Sequence, residues 1–245
     1  MISSTIASKP ARLAVILHTA LSDYLSLLAL LVQFPTKELE GGLAEGTLHE
    51  DFLAVGREAG LSGSAFDTAV DRLRAASHEV RCDHEAMHAI RCEYTRLFNH
   101  PDHPAVKLFE GVFLDDERMR EGKPGTGARL FVNPAALDAE RCYRKAGLKK
   151  STAMNLPADS MSTELEFLAH LHAESARAIA EENDALLGET ETLLEEFTRL
   201  HVEKWFLRFF ERCAEESRCS LYDAVGMMGI ALFGGTPASQ ESPWT

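Results

Sequence analysis

Apolar residues recur along most of the chain at helical spacing. Between Ala11 and Phe34 they fall at Leu13, Ile16, Leu17, Leu21, Tyr24, Leu25, Leu28, Leu31 and Val32, the i, i+3, i+4 pattern of a helix with a wide buried face. Pro35 ends that pattern, because proline disfavours helical backbone at the residue before it. Weaker repeats cover residues 48–60 and 64–79, with Ser62 and Ser64 as candidate N-caps of the second. Residues 82–98 place Met87, Ile90, Tyr94, Leu97 and Phe98 on one side of a further helix. Pro134 opens a short helix running to Gly147, which suits a C-cap. Ser160 or Ser162 starts a long helix carrying Leu165, Phe167, Leu168 and Leu171. Residues 190–216 form another, with Leu193, Leu194, Phe197, Leu200, Trp205, Phe206, Phe209 and Phe210. Leu221 to Phe233 completes the set. No stretch alternates with period two between hairpin turns, so the pattern predicts an all-α fold of about ten helices.

Glycine, proline and small polar residues divide this series. Residues 121–127 read as a flexible loop and residues 148–160 as the strongest linker. The expected organisation is one compact domain in two helical halves, 1–147 and 161–245, joined by a hinge loop over 148–160.

Composition narrows the function classes. The 245 residues are enough to bury a real core, and 45% of them are hydrophobic. The net charge is −13, from 38 acidic against 25 basic residues. That balance argues against sequence-independent nucleic-acid binding and against docking on anionic lipid, and it would attract a cationic partner. The five cysteines (Cys82, Cys92, Cys142, Cys213 and Cys219) include no Cys-x-x-Cys pair, so they read as reduced thiols of a cytosolic protein. Polar residues His18, Ser22 and Asp23 interrupt the N-terminal apolar run, which reads as a buried helix of the domain, with neither membrane insertion nor a secretory signal expected.

Among motifs with chemistry, His84-Glu85-Ala86-Met87-His88 matches His-Glu-x-x-His. On a helix it would set two imidazoles one turn apart for zinc, with the glutamate as general base. Arg81, Asp83 and Arg91 flank it, and no third histidine follows at metzincin spacing. A zinc-dependent hydrolase is therefore kept as the alternative reading, and a generic helical adaptor as a third. Adjacent acids such as Asp115–Asp116 and Glu195–Glu196 diverge on a helix and suit solvated faces. The glycine-rich 122–127 lacks the ordering of a phosphate loop.

Four short elements in order carry more. They are Glu93-Tyr94-Thr95-Arg96-Leu97-Phe98, Phe109-Glu110-Gly111-Val112-Phe113, Tyr143-x-x-x-Gly147, and Pro157-Ala158-Asp159-Ser160 followed by Glu164-Leu165-Glu166-Phe167-Leu168. Their order and spacing resemble the TorD/DmsD/NarJ family of redox-enzyme maturation chaperones. Two positions depart from that pattern. Ser160 stands where the family has histidine after the aspartate, and Phe109-Glu110-Gly111 stands for Tyr-Glu-Ser.

The resemblance implies a cytoplasmic, non-enzymatic chaperone that needs no cofactor. It would bind the twin-arginine signal peptide, or the apo form, of a molybdenum-containing oxidoreductase and delay export until the cofactor is inserted. It also implies a monomer or domain-swapped dimer, for which the 148–160 hinge would serve. A twin-arginine peptide offers two guanidinium groups and an apolar stretch, so its receptor needs carboxylates beside an apolar groove. Glu93, Glu110, Asp159 and Glu164 could supply the charge, and Tyr94, Phe98, Phe109 and Phe113 the groove. Ser160 would either bind or cap, as Asp159 also could. Leu97, Leu165, Phe167 and Leu168 are expected to be core, and Arg96 to pair with a motif carboxylate.

Overall fold

The computed structural model describes residues 9–126, 133–149 and 157–235. Among them there are eleven α-helical segments and no strand: α1 (Lys9–Leu31), α2 (Lys37–Glu45), α3 (Thr47–Glu58), α4 (Ser64–Cys82), α5 (Ala86–Tyr94), α6 (Glu110–Arg120), α7 (Pro134–Lys145), α8 (Met161–Ala180), α9 (Asp184–Phe197), α10 (Glu203–Glu216) and α11 (Ser220–Phe233). α5 runs into a π-helical turn at Thr95–Asn99. α9 and α10 are continuous through a second π turn at Thr198–Val202, which leaves ten separate helices. The fold is all-α, as the periodicity predicts.

Helix starts are set by local chemistry. Thr36 caps α2 by accepting the Leu39 N–H at 3.3 Å, Asn133 caps α7, and Asn183 caps α9. The N-cap of α4 is Gly63, with φ +94°, and neither Ser62 nor Ser64 fills that position. Gly147 takes the left-handed conformation after α7, where the Leu148 N–H reaches back to the Tyr143 carbonyl at 2.9 Å.

α1 packs against α8, α3 and α11, burying Leu21, Tyr24, Leu25, Leu28 and Leu31. By length and composition alone α1 could cross a bilayer, yet this stripe is sealed inside the bundle, and Leu13 and Ile16 stay exposed. α11 packs on α4 and α10. The close approach of α10 and α11 depends on Gly229, where an added Cβ would lie 1.9 Å from the Phe210 ring. Elements from both sides of residues 148–160 thus share one core. Residues 150–156 of the expected hinge lie outside the described residues, whereas Ala158, Asp159 and Ser160 are buried.

The α1–α8 interface holds a pair of imidazoles, with His18 Nδ1 3.0 Å from His172 Nδ1. Burial, and next the neighbouring His18, push His172 down to about 3 from the ordinary 6.5. The unfolded chain therefore binds this proton before the folded one does, and stability falls as pH drops below 6.5. His172→Leu is expected to flatten the loss between pH 6.5 and 5 by up to about 1.4 kcal/mol per pH unit. Urea unfolding of both proteins across that range measures it, and equal slopes would contradict a neutral buried His172.

Candidate functional site

Two helix starts meet where α6 and α8 begin. Phe109 and Ser160 form an isolated antiparallel bridge: the Glu110 N–H donates to the Asp159 carbonyl, and the Met161 N–H to the Leu108 carbonyl, each at 2.9 Å. Ser160 caps α8, its Oγ accepting the Thr163 N–H at 3.3 Å and lying 2.7 Å from Thr163 Oγ1. Phe109 has no side-chain oxygen with which to cap α6. Asp159 does so from the other chain segment, its Oδ2 accepting the Gly111 N–H at 3.1 Å. The same oxygen accepts Asn133 Nδ2, and Asn133 Oδ1 in turn accepts the Ala135 N–H at the start of α7. One carboxylate therefore joins the N-termini of α6, α7 and α8. Their partial positive charge favours an anion there. Tyr143 fastens the segment from behind by donating to the Ala158 carbonyl at 2.7 Å. Gly111 is sterically required, since a Cβ there would sit 2.4 Å from the Asn133 amide.

Beneath this junction lies a sealed polar group. Glu110, Glu164 and His201 have side-chain exposures of 2%, 0% and 1%. His201 Nδ1 is 2.6 Å from Glu110 Oε2 and 3.6 Å from Glu164 Oε1. Trp205 Nε1–H donates to Glu164 Oε2 at 2.9 Å. Burial, and next the charge of Glu110, hold the Glu164 carboxyl well above the usual carboxylate range. Burial also raises Asp159, against the hydrogen bonds from Gly111 and Asn133. Rings enclose the group: Phe197 stacks on His201 at 4.7 Å between centroids, and Phe113 lies 5.6 Å from Trp205.

Glu93 belongs to a second cluster. Arg96 grips it through Nε and Nη2, both at 2.8 Å, and donates as well to the Glu216 carbonyl. The Arg218 N–H reaches the same carboxylate at 2.7 Å. Burial works to raise Glu93, but these donors outweigh it and hold the carboxyl below its usual range. Tyr94 and Phe98 pack beside it against Tyr222, and Phe98 stacks on Phe209.

A family model described as nitrate reductase delta subunit matches residues 63–211, more than half of the chain, including the whole of the α6–α8 junction and the Glu93–Arg96 pair. The chain belongs to that family. It is also similar to the chaperone protein TorD from three strains of Vibrio cholerae serotype O1, at 26% identity over 176 residues, which cover 70% of this chain and 73% of each relative.

Within this TorD/NarJ-type family member, the residues expected to bind peptide do not share one open groove. Glu110, Asp159, Ser160, Glu164 and Phe113 gather at the α6–α8 junction, while Glu93, Tyr94 and Phe98 form the second cluster. All are buried, and only Phe109 is partly exposed. Arg96 pairs with Glu93, and Leu97, Leu165, Phe167 and Leu168 are core. His201 escaped the sequence reading, although it recurs four residues from both Phe197 and Trp205. The apolar spacing of the 190–216 helix runs through Leu200 beside it. In the π turn His201 is buried and Leu200 is only partly buried.

The His-Glu-x-x-His motif does not have the helical geometry that zinc binding would need. α5 begins only at Ala86, so His84 and Glu85 precede it. The His84 side chain is 91% exposed and faces Glu85, while His88 lies against Cys92.

Four substitutions at three positions test this assembly. Asp159→Ala should cost about 2–3 kcal/mol, because it uncaps α6 and strands the Asn133 amide, whereas Ser160→Ala should cost about 1 kcal/mol as a simple cap loss. Glu164→Ala should destabilise more than Glu164→Gln by about 1–3 kcal/mol, because only glutamine leaves Trp205 Nε1–H an acceptor. Chemical unfolding measures all four.

Proposed function

We propose that this chain is a cytoplasmic chaperone that holds the precursor of a molybdenum-containing oxidoreductase and delays its export until the cofactor is in place. The observation that carries the reading is the family match over residues 63–211, which contains every residue of the buried carboxylate network. The relatives from Vibrio cholerae are named chaperones, in keeping with it.

The finer part of the proposal is that the client's twin-arginine signal peptide is the bound segment. Its guanidinium groups pair with carboxylates better than ammonium groups do, through bidentate geometry and weaker hydration. Glu110, Asp159 and Glu164 supply those carboxylates once the α6–α8 junction opens, and Phe109, already partly exposed, marks the edge where the peptide's apolar stretch enters. Opening breaks the two backbone hydrogen bonds of the Phe109–Ser160 bridge, at about 1 kcal/mol each. Glu93 contributes at the neighbouring cluster when the peptide competes for Arg96's carboxylate. The action is reversible binding without a covalent step. The chain acts as a monomer or as a dimer swapped about residues 148–160, with α1 of one copy packed on α8 of the other.

Calorimetry with a panel of twin-arginine signal peptides, each beside its twin-lysine variant, tests this reading. One peptide should bind with micromolar or tighter affinity and lose roughly tenfold or more on the lysine exchange. Glu93→Gln, Glu110→Gln and Asp159→Asn should each weaken it. Normal binding by all three folded variants would reject the site, and absent binding to every peptide would turn the proposal toward the mature enzyme as client.

A further inference from the structure

We propose that Glu110, Glu164 and His201 form a binding site for one divalent transition-metal cation of the zinc class. The inference does not rest on the chaperone reading. It begins from charge. Asp159, Glu110 and Glu164 are three carboxyl groups buried at the α6–α8 junction. Among the described residues, no lysine or arginine bonds to any of them, and one imidazole is the sole basic partner. N–H donors of Gly111 and Asn133 meet Asp159, but Glu110 and Glu164 have far fewer donors, and a cation shared between them would offset the cost of burying both.

The geometry favours a shared cation. One ligand atom from each of Glu110, Glu164 and His201 lies within 4.8 Å of the other two. The observed separations of His201 Nδ1 from the two carboxylate oxygens, 2.6 and 3.6 Å, bracket the roughly 3.3 Å between ligands of a tetrahedral zinc bound at about 2.0–2.1 Å. Glu164 Oε1 is fully buried without a hydrogen-bond partner and faces that imidazole, so it has an unused lone pair directed into the trio. Trp205 holds the other Glu164 oxygen, fixing the carboxylate plane as an outer-shell donor does at metal sites. The ligands come from three helical elements, α6, α8 and the π turn before α10, so a cation would cross-link them. Two carboxylates with one imidazole suit zinc above manganese.

The test uses the full chain stripped with a chelator, with zinc chloride as the probe. Calorimetry should give one zinc per chain. The melting temperature should rise by roughly 5–10 °C at a hundredfold excess over Kd. His84→Gln/His88→Gln, which removes the exposed imidazole pair, should keep both effects. His201→Gln should weaken binding at least tenfold. If His201→Gln fails to fold, the stoichiometry and the surface-pair variant still decide. Absence of stoichiometric zinc, loss of binding with the surface pair, or binding with no rise in melting temperature would each overturn the proposal.

Discussion

The architecture turns on burying three carboxyl groups where three helices begin. Isolated ionised carboxylates would be prohibitively costly there, so each has a particular remedy. Asp159 is set against the first N–H groups of α6 and the amide of Asn133, where the exposed ends of peptide dipoles meet it. Glu110 is set against His201, and Glu164 against Trp205 and a shifted proton affinity. The remedies are not interchangeable, because each depends on a different helix being in register. Moving α6 by one residue would take Glu110 from His201 and Gly111 from Asp159 together.

This arrangement reads better as a device for specificity than for stability. The surrounding rings of Phe113, Phe197 and Trp205 supply apolar burial, and a hydrocarbon filling of similar volume would serve stability as well or better. What the polar group adds is a single allowed alignment of α6, α7, α8 and α10. It also leaves the junction with few backbone bonds of its own. The two strands of the bridge share only two backbone hydrogen bonds, and water or a cationic ligand can satisfy every carboxylate that parts from its partner. On the proposed peptide-binding reading, a seam of this kind would let the junction close without a client and open for one.

Much of the scaffold was legible in the chain. α1, α8, α10 and α11 follow from apolar spacing and their stops, and the Glu93–Arg96 pair follows from the cost of leaving a buried guanidinium alone. α2 was not legible, because Lys37–Glu45 carries only Leu39 and Leu43 as buried residues and has two glycines in its middle. The continuation of α9 back to Asp184 was hidden in the same way by exposed acids. His84-Glu85-x-x-His88 looked like chemistry because a pattern of letters cannot tell whether a helix has begun, and here it begins two residues too late. His201 failed for the opposite reason. Its i, i+4 spacing from Phe197 and Trp205 already sets it on the buried face, but a polar residue inside an apolar run reads as solvated, and Leu200 one position before it completes the apolar spacing in its place.

The two departures from the family pattern make sense together once the partners are known. Gly111 stands for serine because the Asn133 amide fills the space a side chain would need, and that amide is one of the donors to Asp159. Ser160 stands for histidine, and its hydroxyl is fully engaged with Thr163 in starting α8. Position 160 is thus a helix cap in this chain. The imidazole that meets the carboxylates comes instead from the π turn, at His201, one helix away. That residue also joins α9 to α10, so its contact with Glu110 ties those two helices to α6.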